Sequence, residues 1–123
     1  MSITCRRGNV RDIAKLLIAD DLELKAESIE FNVGIGHEFW IAVEENRILA
    51  VMVLRRRLDA FNILYIRVAR SRVGQGIGSS LVQAVLKAHP ACEFSVIPFT
   101  GTEGFYHKLG FKNVRGWEMC RIT

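Results

Sequence analysis

Apolar positions along this chain change their period several times, and the sharpest change falls just past its middle. A mostly apolar run from Asn62 to Ala69 leads into glycines at the alternate positions 74, 76 and 78. Ile77, Leu81 and Val85 then recur every four residues, with Val82 and Leu86 beside them on one face. That order predicts a strand, a tight glycine turn and an amphipathic helix. The helix should run to about His89, with Pro90 as its stop.

The remaining pattern places the other elements. Ile3 to Arg7 reads as a short first strand. Asn9 is a good N-cap for a helix through about Ala19, with Asp12 at the third helical position and Val10, Ile13 and Leu17 on one face. A weaker helix is expected from Asp21 to about Glu30, and a loop over residues 32–36. Phe39–Val43 and Ile48–Leu54 read as strands joined at Glu44-Glu45-Asn46-Arg47. After the central helix come a strand over Glu93–Ile97, a short helix around Tyr106 stopped by Gly110 at C′, and closing strands near Lys112–Arg115 and Trp117–Ile122. Strands outnumber helices and most pair as hairpins, which predicts a mixed α+β sheet and not a parallel one.

Composition narrows the class. The 123 residues suit one domain with a real core, taken here as residues 1–123. Half the residues are hydrophobic, yet no run approaches the roughly 20 needed to span a membrane. The first residues, Met1 to Arg7, lack an apolar signal core. Cys5, Cys92 and Cys120 are odd in number and form no CxxC or zinc pattern. Reduced thiols, a cytoplasmic location and no metal are therefore expected.

Charge is unevenly spread. Five Lys/Arg face nine Asp/Glu before residue 46, and twelve face four after it, which together give the chain its net charge of +4. A basic second half suits a polyanionic ligand or nucleic acid. Against nucleic acid, the basic residues are spread through strands and do not interleave with aromatics. The one run, Arg55-Arg56-Arg57, reads as a solvated strand end or hairpin.

The glycines carry the chemistry. They let backbone N–H groups turn toward one point, and a helix N-terminus adds about half a positive charge. The result is a site for phosphate or pyrophosphate. A P-loop would need Gly-Lys-Ser/Thr, and here the helix opens Gly78-Ser79-Ser80. A dinucleotide fingerprint would need a third glycine where Ser79 stands, and more sequence behind it. What remains resembles the acyl-CoA pyrophosphate loop of a known family: Val68, Gly74, Gly76, Gly78 and Leu81 stand in place for its pattern V-x-P-x-x-R-G-x-G-x-G plus a small residue and Leu. Thirty residues on, Phe105-Tyr106-His107-Lys108-Leu109-Gly110-Phe111 is close to FYxKLGF. With both segments in this order, the chain resembles the GNAT N-acetyltransferase superfamily from about Phe39 to Phe111.

The resemblance implies a GNAT-like, mostly antiparallel sheet of six to seven strands flanked by about four helices. It implies an N-acetyltransferase that moves an acetyl or acyl group from acetyl-CoA to a primary amine by direct attack in a ternary complex. The main chain of Ile66, Val68 and Arg70 would pair with the pantetheine arm. The amides of Val73, Gly74, Gln75, Gly76, Ile77, Gly78 and Ser79 would take the pyrophosphate, and Tyr106 would be the general acid. Three departures stand out. Val73 replaces the usual Arg, with Arg72 one place earlier. Phe99 stands where an Asn is frequent, which leaves Thr100 or Ser95 for the pantetheine amides. Asn62 occupies the position of a carboxylate base, so Asp59, Glu38, His37 or water would have to serve. The acceptor is a small-molecule or peptide amine. Acidity at Asp20, Asp21, Glu23, Glu27 and Glu30 would attract a cationic one, although an exposed helix face explains it better and without function. No membrane partner is expected, and a homodimer stays open. The alternative function is a non-catalytic acyl-CoA sensor or interaction module of the same fold.

Overall fold

A computed structural model describes residues 2–17, 22 and 37–123. Seven strands form one sheet in the order β1-β2-β3-β4-β5-β7-β6. They are β1 Thr4–Arg7, β2 Glu38–Glu44, β3 Arg47–Arg57, β4 Ala60–Val68, β5 Glu93–Val96, β6 Lys112–Arg115 and β7 Glu118–Ile122. The described helices are α1 Val10–Leu17, α2 Ile77–Ala88 and α3 Glu103–Lys108, with a 3-10 turn at Arg70–Arg72. All neighbouring strands are antiparallel except β4 and β5. The expected sheet is therefore present. The expected helix at Asp21–Glu30 and the loop at 32–36 lie outside the described residues, apart from Leu22, which is buried.

Two features of β4 position the site. It pairs with β5 only over Ala60–Ile63 against Glu93–Val96. Immediately afterwards the β3–β4 register slips: Leu54 faces Ile63 while Val53 faces Tyr65, so Leu64 is an extra, bulged residue. A bulge bends its strand and increases the local twist. It turns β4 away from β5, and the β5-side edge of residues 64–68 has no strand beside it. A second bulge leaves Leu49 between the pairs Ala42–Ala50 and Val43–Ile48. The Leu49 carbonyl accepts from Ala69 N–H at 2.7 Å, which fixes the chain where β4 ends.

The core lies on both faces of the sheet. On one face, Ile77, Leu81, Val82, Val85 and Leu86 of α2 pack with Met52, Phe61, Ile63, Phe94 and Met119. Phe61 stacks on Phe94 with ring centroids 5.1 Å apart. On the other face, Ile13 and Leu16 of α1 meet Ile41, Val51 and Val53. The sequence expectation for α1 needs correcting here. Val10 is 75 % exposed, Leu16 is buried in its place, and the side chain of Leu17 lies outside the described residues.

An ion pair sets that rotation. Asp12 accepts from the Asn9 amide at 2.8 Å, and Asn9 Oδ1 accepts from the Arg11 amide at 2.9 Å, a reciprocal cap. Arg6 holds both Asp12 oxygens from β1, at 2.9 and 2.8 Å. Asp12 is thereby buried, and the inward face is Asp12, Ile13 and Leu16. The Arg6 hydrogen bonds, helped by the Asn9 amide, hold the Asp12 carboxyl below its ordinary pKa against the opposing effect of burial.

A lowered carboxylate pKa contributes stability that is present above the unfolded value near 3.9 and is lost as pH falls through the native value. Asp12→Ala should therefore lower unfolding free energy at pH 7 by about 1–2 kcal/mol, from the lost cap and an unpaired Arg6. The deficit should shrink in acid below pH 4. Urea melts at both pH values check this; an equal deficit at pH 7 and pH 3 would remove the ion pair from the account.

Candidate active site

The glycine loop is built by the 3-10 turn and the start of α2. Ala69 accepts from the Arg72 amide at 2.8 Å, closing the turn directly after β4. Gly74 and Gly76 then take positive φ of 86° and 78°, which side-chain-bearing residues rarely adopt. Gly76 is the N-cap of α2, no side chain caps the helix, and its carbonyl accepts from the Ser80 amide at 3.0 Å. The first-turn N–H groups of α2 are thus without a side-chain acceptor at the positive end of the helix dipole.

Arg72 braces this loop. Its guanidinium grips Glu44 at the end of β2 through both terminal nitrogens, at 3.0 and 3.3 Å, and Nε donates to Gln75 Oε1 at 2.8 Å. These hydrogen bonds lower the Glu44 pKa and raise that of Arg72. The cation expected one place later is therefore engaged with protein groups.

Between the parted strands lies a cleft of about 610 Å³. β4 gives one wall, the glycine loop and α2 the far end, and the segment from Val96 through α3 the other wall. Of the predicted residues, Ile66, Val68, Val73, Gly74, Gly76, Ile77, Gly78, Ser79 and Tyr106 line it together. Arg70, Gln75 and Thr100 do not. Arg70 falls in the 3-10 turn, because β4 ends at Val68, and Gln75 turns its amide to Arg72. Tyr65, Arg67, Arg72 and Phe105 line the cleft although the sequence reading assigned them no place in the site. No signal in the sequence marked Tyr65 and Arg67, because their place depends on the bulge at Leu64.

Tyr106 is held by how α3 ends. The Phe111 amide donates to the Tyr106 carbonyl and the Gly110 amide to the His107 carbonyl, both at 3.0 Å. Gly110 has φ 92°. This is the paired-bond helix stop, and its usual apolar contact is the edge-on meeting of Tyr106 and Phe111 at 5.5 Å. Phe105 lies edge-on to the Tyr106 ring at 5.0 Å on the other side. Burial pushes the Tyr106 phenol up to about 12, so it stays protonated at any physiological pH. Tyr65, across the cleft, has a buried hydroxyl with no hydrogen-bond partner among the described residues. Burial raises its pKa while Arg67 pulls the other way.

No carboxylate lines the cleft among the described residues. Asp59 sits in the exposed β3–β4 turn, at the far end of β4 from the glycine loop. Glu38 is buried at the start of β2, where it accepts from Trp40 Nε1 at 2.9 Å and lies 3.6 Å from Arg7 and 3.5 Å from His89. His37 precedes that strand and does not line the cleft. Asn62 is committed on both sides: Oδ1 accepts from Arg55 Nε and Nη2 at 3.2 and 3.0 Å, and Nδ2 donates to Ser95 Oγ. Ser95 faces that network and does not line the cleft. Cys5, Cys92 and Cys120 are free thiols, and no three His, Cys, Asp or Glu converge among the described residues. No described helix is long and apolar enough to cross a membrane.

Known proteins share this architecture. The ribosomal-protein-S18-alanine N-acetyltransferase of Escherichia coli superposes with a TM-score of 0.82 at 14% identity, covering 98% of this chain and 94% of that one. A GNAT family acetyltransferase from Brucella melitensis, solved with acetyl-CoA, gives 0.76 at 16% identity over 98% and 88% of the two chains. An aminoglycoside 6'-N-acetyltransferase complexed with coenzyme A gives 0.77 at 17% identity over 99% and 97%. No curated protein matches in sequence. The acetyltransferase (GNAT) domain family matches residues 36–113, which run from before β2 into β6 and take in the glycine loop and Tyr106. The chain belongs to the GNAT acetyltransferase family.

Proposed function

We propose that this protein transfers an acetyl group from acetyl-CoA to a primary amine by direct attack within a ternary complex, with Tyr106 as the general acid. The single observation that carries the reading is the cleft itself: a loop of uncapped amides at one end, an unpaired strand edge along one wall and Tyr106 on the other. Acetyl-CoA has a pyrophosphate for the amides and a peptide-like arm for the strand edge, and the residues present fit both. Acetyl-CoA, when bound, supplies the acetyl thioester.

The chain's own residues then have separable tasks. The amides of residues 73–79 bind anionic oxygens through the helix dipole. The backbone of Ile66 and Val68 orients the arm by strand-like pairing. Phe105 and Phe111 keep water from the Tyr106 ring. Tyr106 gives its proton to the departing sulfur. A phenol raised to about 12 is a weaker donor than a free one, but burial in the same cleft raises a thiol as well, so the two remain within reach. With no carboxylate at the cleft among the described residues, the amine arrives neutral or loses its proton to water. The same absence is what the sensor reading would rest on.

Acetyl-CoA at a hundredfold excess over Kd should stabilise the protein by about 2.7 kcal/mol, a Tm rise of roughly 10 °C for a chain of this size. Gly76→Asp should abolish the shift. No atom lies within 4 Å of the Cβ it would add, so nothing clashes, but φ of 78° strains any side chain there by about 1–2 kcal/mol. The variant should fold at somewhat lower stability while a negative charge enters the anion site, and its shift is read from its own ligand-free Tm. An unchanged shift in that variant would remove the loop from cofactor binding.

Tyr106→Phe should retain the acetyl-CoA shift and lower kcat by roughly a hundredfold. Because the phenol titrates near 12, kcat in the parent protein should climb with pH as amines near pKa 10 deprotonate, with no alkaline decline below pH 10. Thiol release across an amine panel measures both. Coenzyme A bound without release on any amine would favour the sensor.

A further inference from the structure

On the opposite face of the sheet from α2, a second cavity of about 290 Å³ is lined by Arg55, Arg57, Asn62, Ser95 and Glu118, and by Leu64, Val96 and Ile97. The last three also line the large cleft. The two spaces therefore adjoin where β4 and β5 part, on the side from which one end of a small molecule seated in the second cavity would reach toward Tyr106.

The charge here is out of balance in an informative way. Arg55, Asn62 and Ser95 form one row across three strands, paired Arg55 to Asn62 and Asn62 to Ser95. Arg55 spends Nε and Nη2 on the neutral Asn62 oxygen, and no carboxylate lies within ion-pair distance of it or of Arg57 among the described residues. A half-buried guanidinium without counter-charge is costly, and a ligand anion would offset that cost. Among the described residues Nη1 and the second N–H of Nη2 have no partner, and together they form the end-on fork that suits planar, bidentate recognition of a carboxylate. Glu118 also lines the cavity, so a singly charged group is favoured over a dianionic phosphate.

We propose that the acceptor is a small amine that also carries a carboxylate, an amino acid of α, β or γ type, with Arg55 as its carboxylate anchor and Asn62 as the residue that keeps Arg55 un-neutralised. The inference rests on the transferase reading and narrows its acceptor. It replaces the cationic acceptor expected from the acidic segment at residues 20–30, which, Leu22 apart, lies outside the described residues. A volume of about 290 Å³ suits a molecule of amino-acid size.

The test is calorimetric binding of a panel of α-, β- and γ-amino acids, each beside its amide, with putrescine as a carboxylate-free control. Binding is read on the protein with and without coenzyme A. At least one amino acid should bind about tenfold or more tightly than its amide, the size of one charge-assisted hydrogen bond. Arg55→Gln should erase that difference. So should Asn62→Asp, nearly isosteric and therefore safe for folding, because it places a carboxylate against Arg55. Both variants should keep the acetyl-CoA thermal shift. Amides or putrescine binding as tightly as the amino acids would overturn the proposal, as would no binding at all or a difference that survives both substitutions. Failure of acetyl-CoA to bind would instead sink the transferase reading, while the amino-acid arm, read on the protein alone, still decides this one.

Discussion

The site depends on β4 being able to keep β5 as a neighbour for only half its length. Four residues of each strand pair, and the chain then spends one residue, Leu64, on a bulge. Without that bulge the two strands could continue side by side, and the cleft and the free edge would close together. The separation holds because each parted strand is secured elsewhere. Val68 and Ile66 pack against the α2 core, Ala69 is hydrogen-bonded to the bulged Leu49, and Arg72 ties the turn to Glu44. Gly78 lets α2 approach this wall closely, with the place of its missing Cβ only 3.4 Å from Val68 Cγ2. An unpaired edge inside a fold carries unsatisfied main-chain groups, so it persists only where water or a ligand meets them.

Much of this was legible in the sequence because it is written in local chemistry. Glycines that need positive φ, the Asn9–Asp12 cap and the Gly110 stop are short-range signals, and each stands where the pattern put it. The Glu45-Asn46 turn is of the same kind, with φ of 48° and 67° in a tight hairpin. What could not be read was long-range. Leu64 looks like any other member of an apolar run, and nothing in its neighbours announces an extra residue opposite Leu54. Arg70, given a place on β4 by the family resemblance, falls in the turn beyond it because the strand ends at Val68. Val10 was misplaced for a related reason: helical periodicity cannot know that Arg6, on another element, rotates α1 by binding Asp12.

Asn62 shows the two kinds of information meeting. Its identity was visible, and it removed the expected carboxylate from the strand. Its consequence was not, because that requires the register that sets Arg55 and Ser95 on either side of it. An aspartate there would form an ion pair with Arg55 and quench its field. An asparagine satisfies the same hydrogen bonds yet leaves the positive charge standing. One oxygen-to-nitrogen exchange thus changes the cavity from neutral to anion-seeking with almost no change of shape.

On the proposed reading, that exchange bears on how an amine could react where no carboxylate lines the cleft among the described residues. Proton removal is helped either by an acceptor nearby or by an environment in which the ammonium form is disfavoured. Arg67 and Arg72 line the same cleft as Tyr106, and Arg55 lines the adjoining cavity. Each like charge near an ammonium lowers its pKa, and partial burial adds to the effect. Glu44 neutralises Arg72, and a carboxylate on the acceptor would neutralise Arg55, which leaves Arg67 and desolvation as the forces acting on the amine itself. On the proposed reading, the carboxylate end of the acceptor is held by attraction while its amine end is driven toward the neutral form by repulsion. On the same reading Tyr106, kept protonated by its own burial, serves the departing sulfur as a donor and does not compete as a base for the amine.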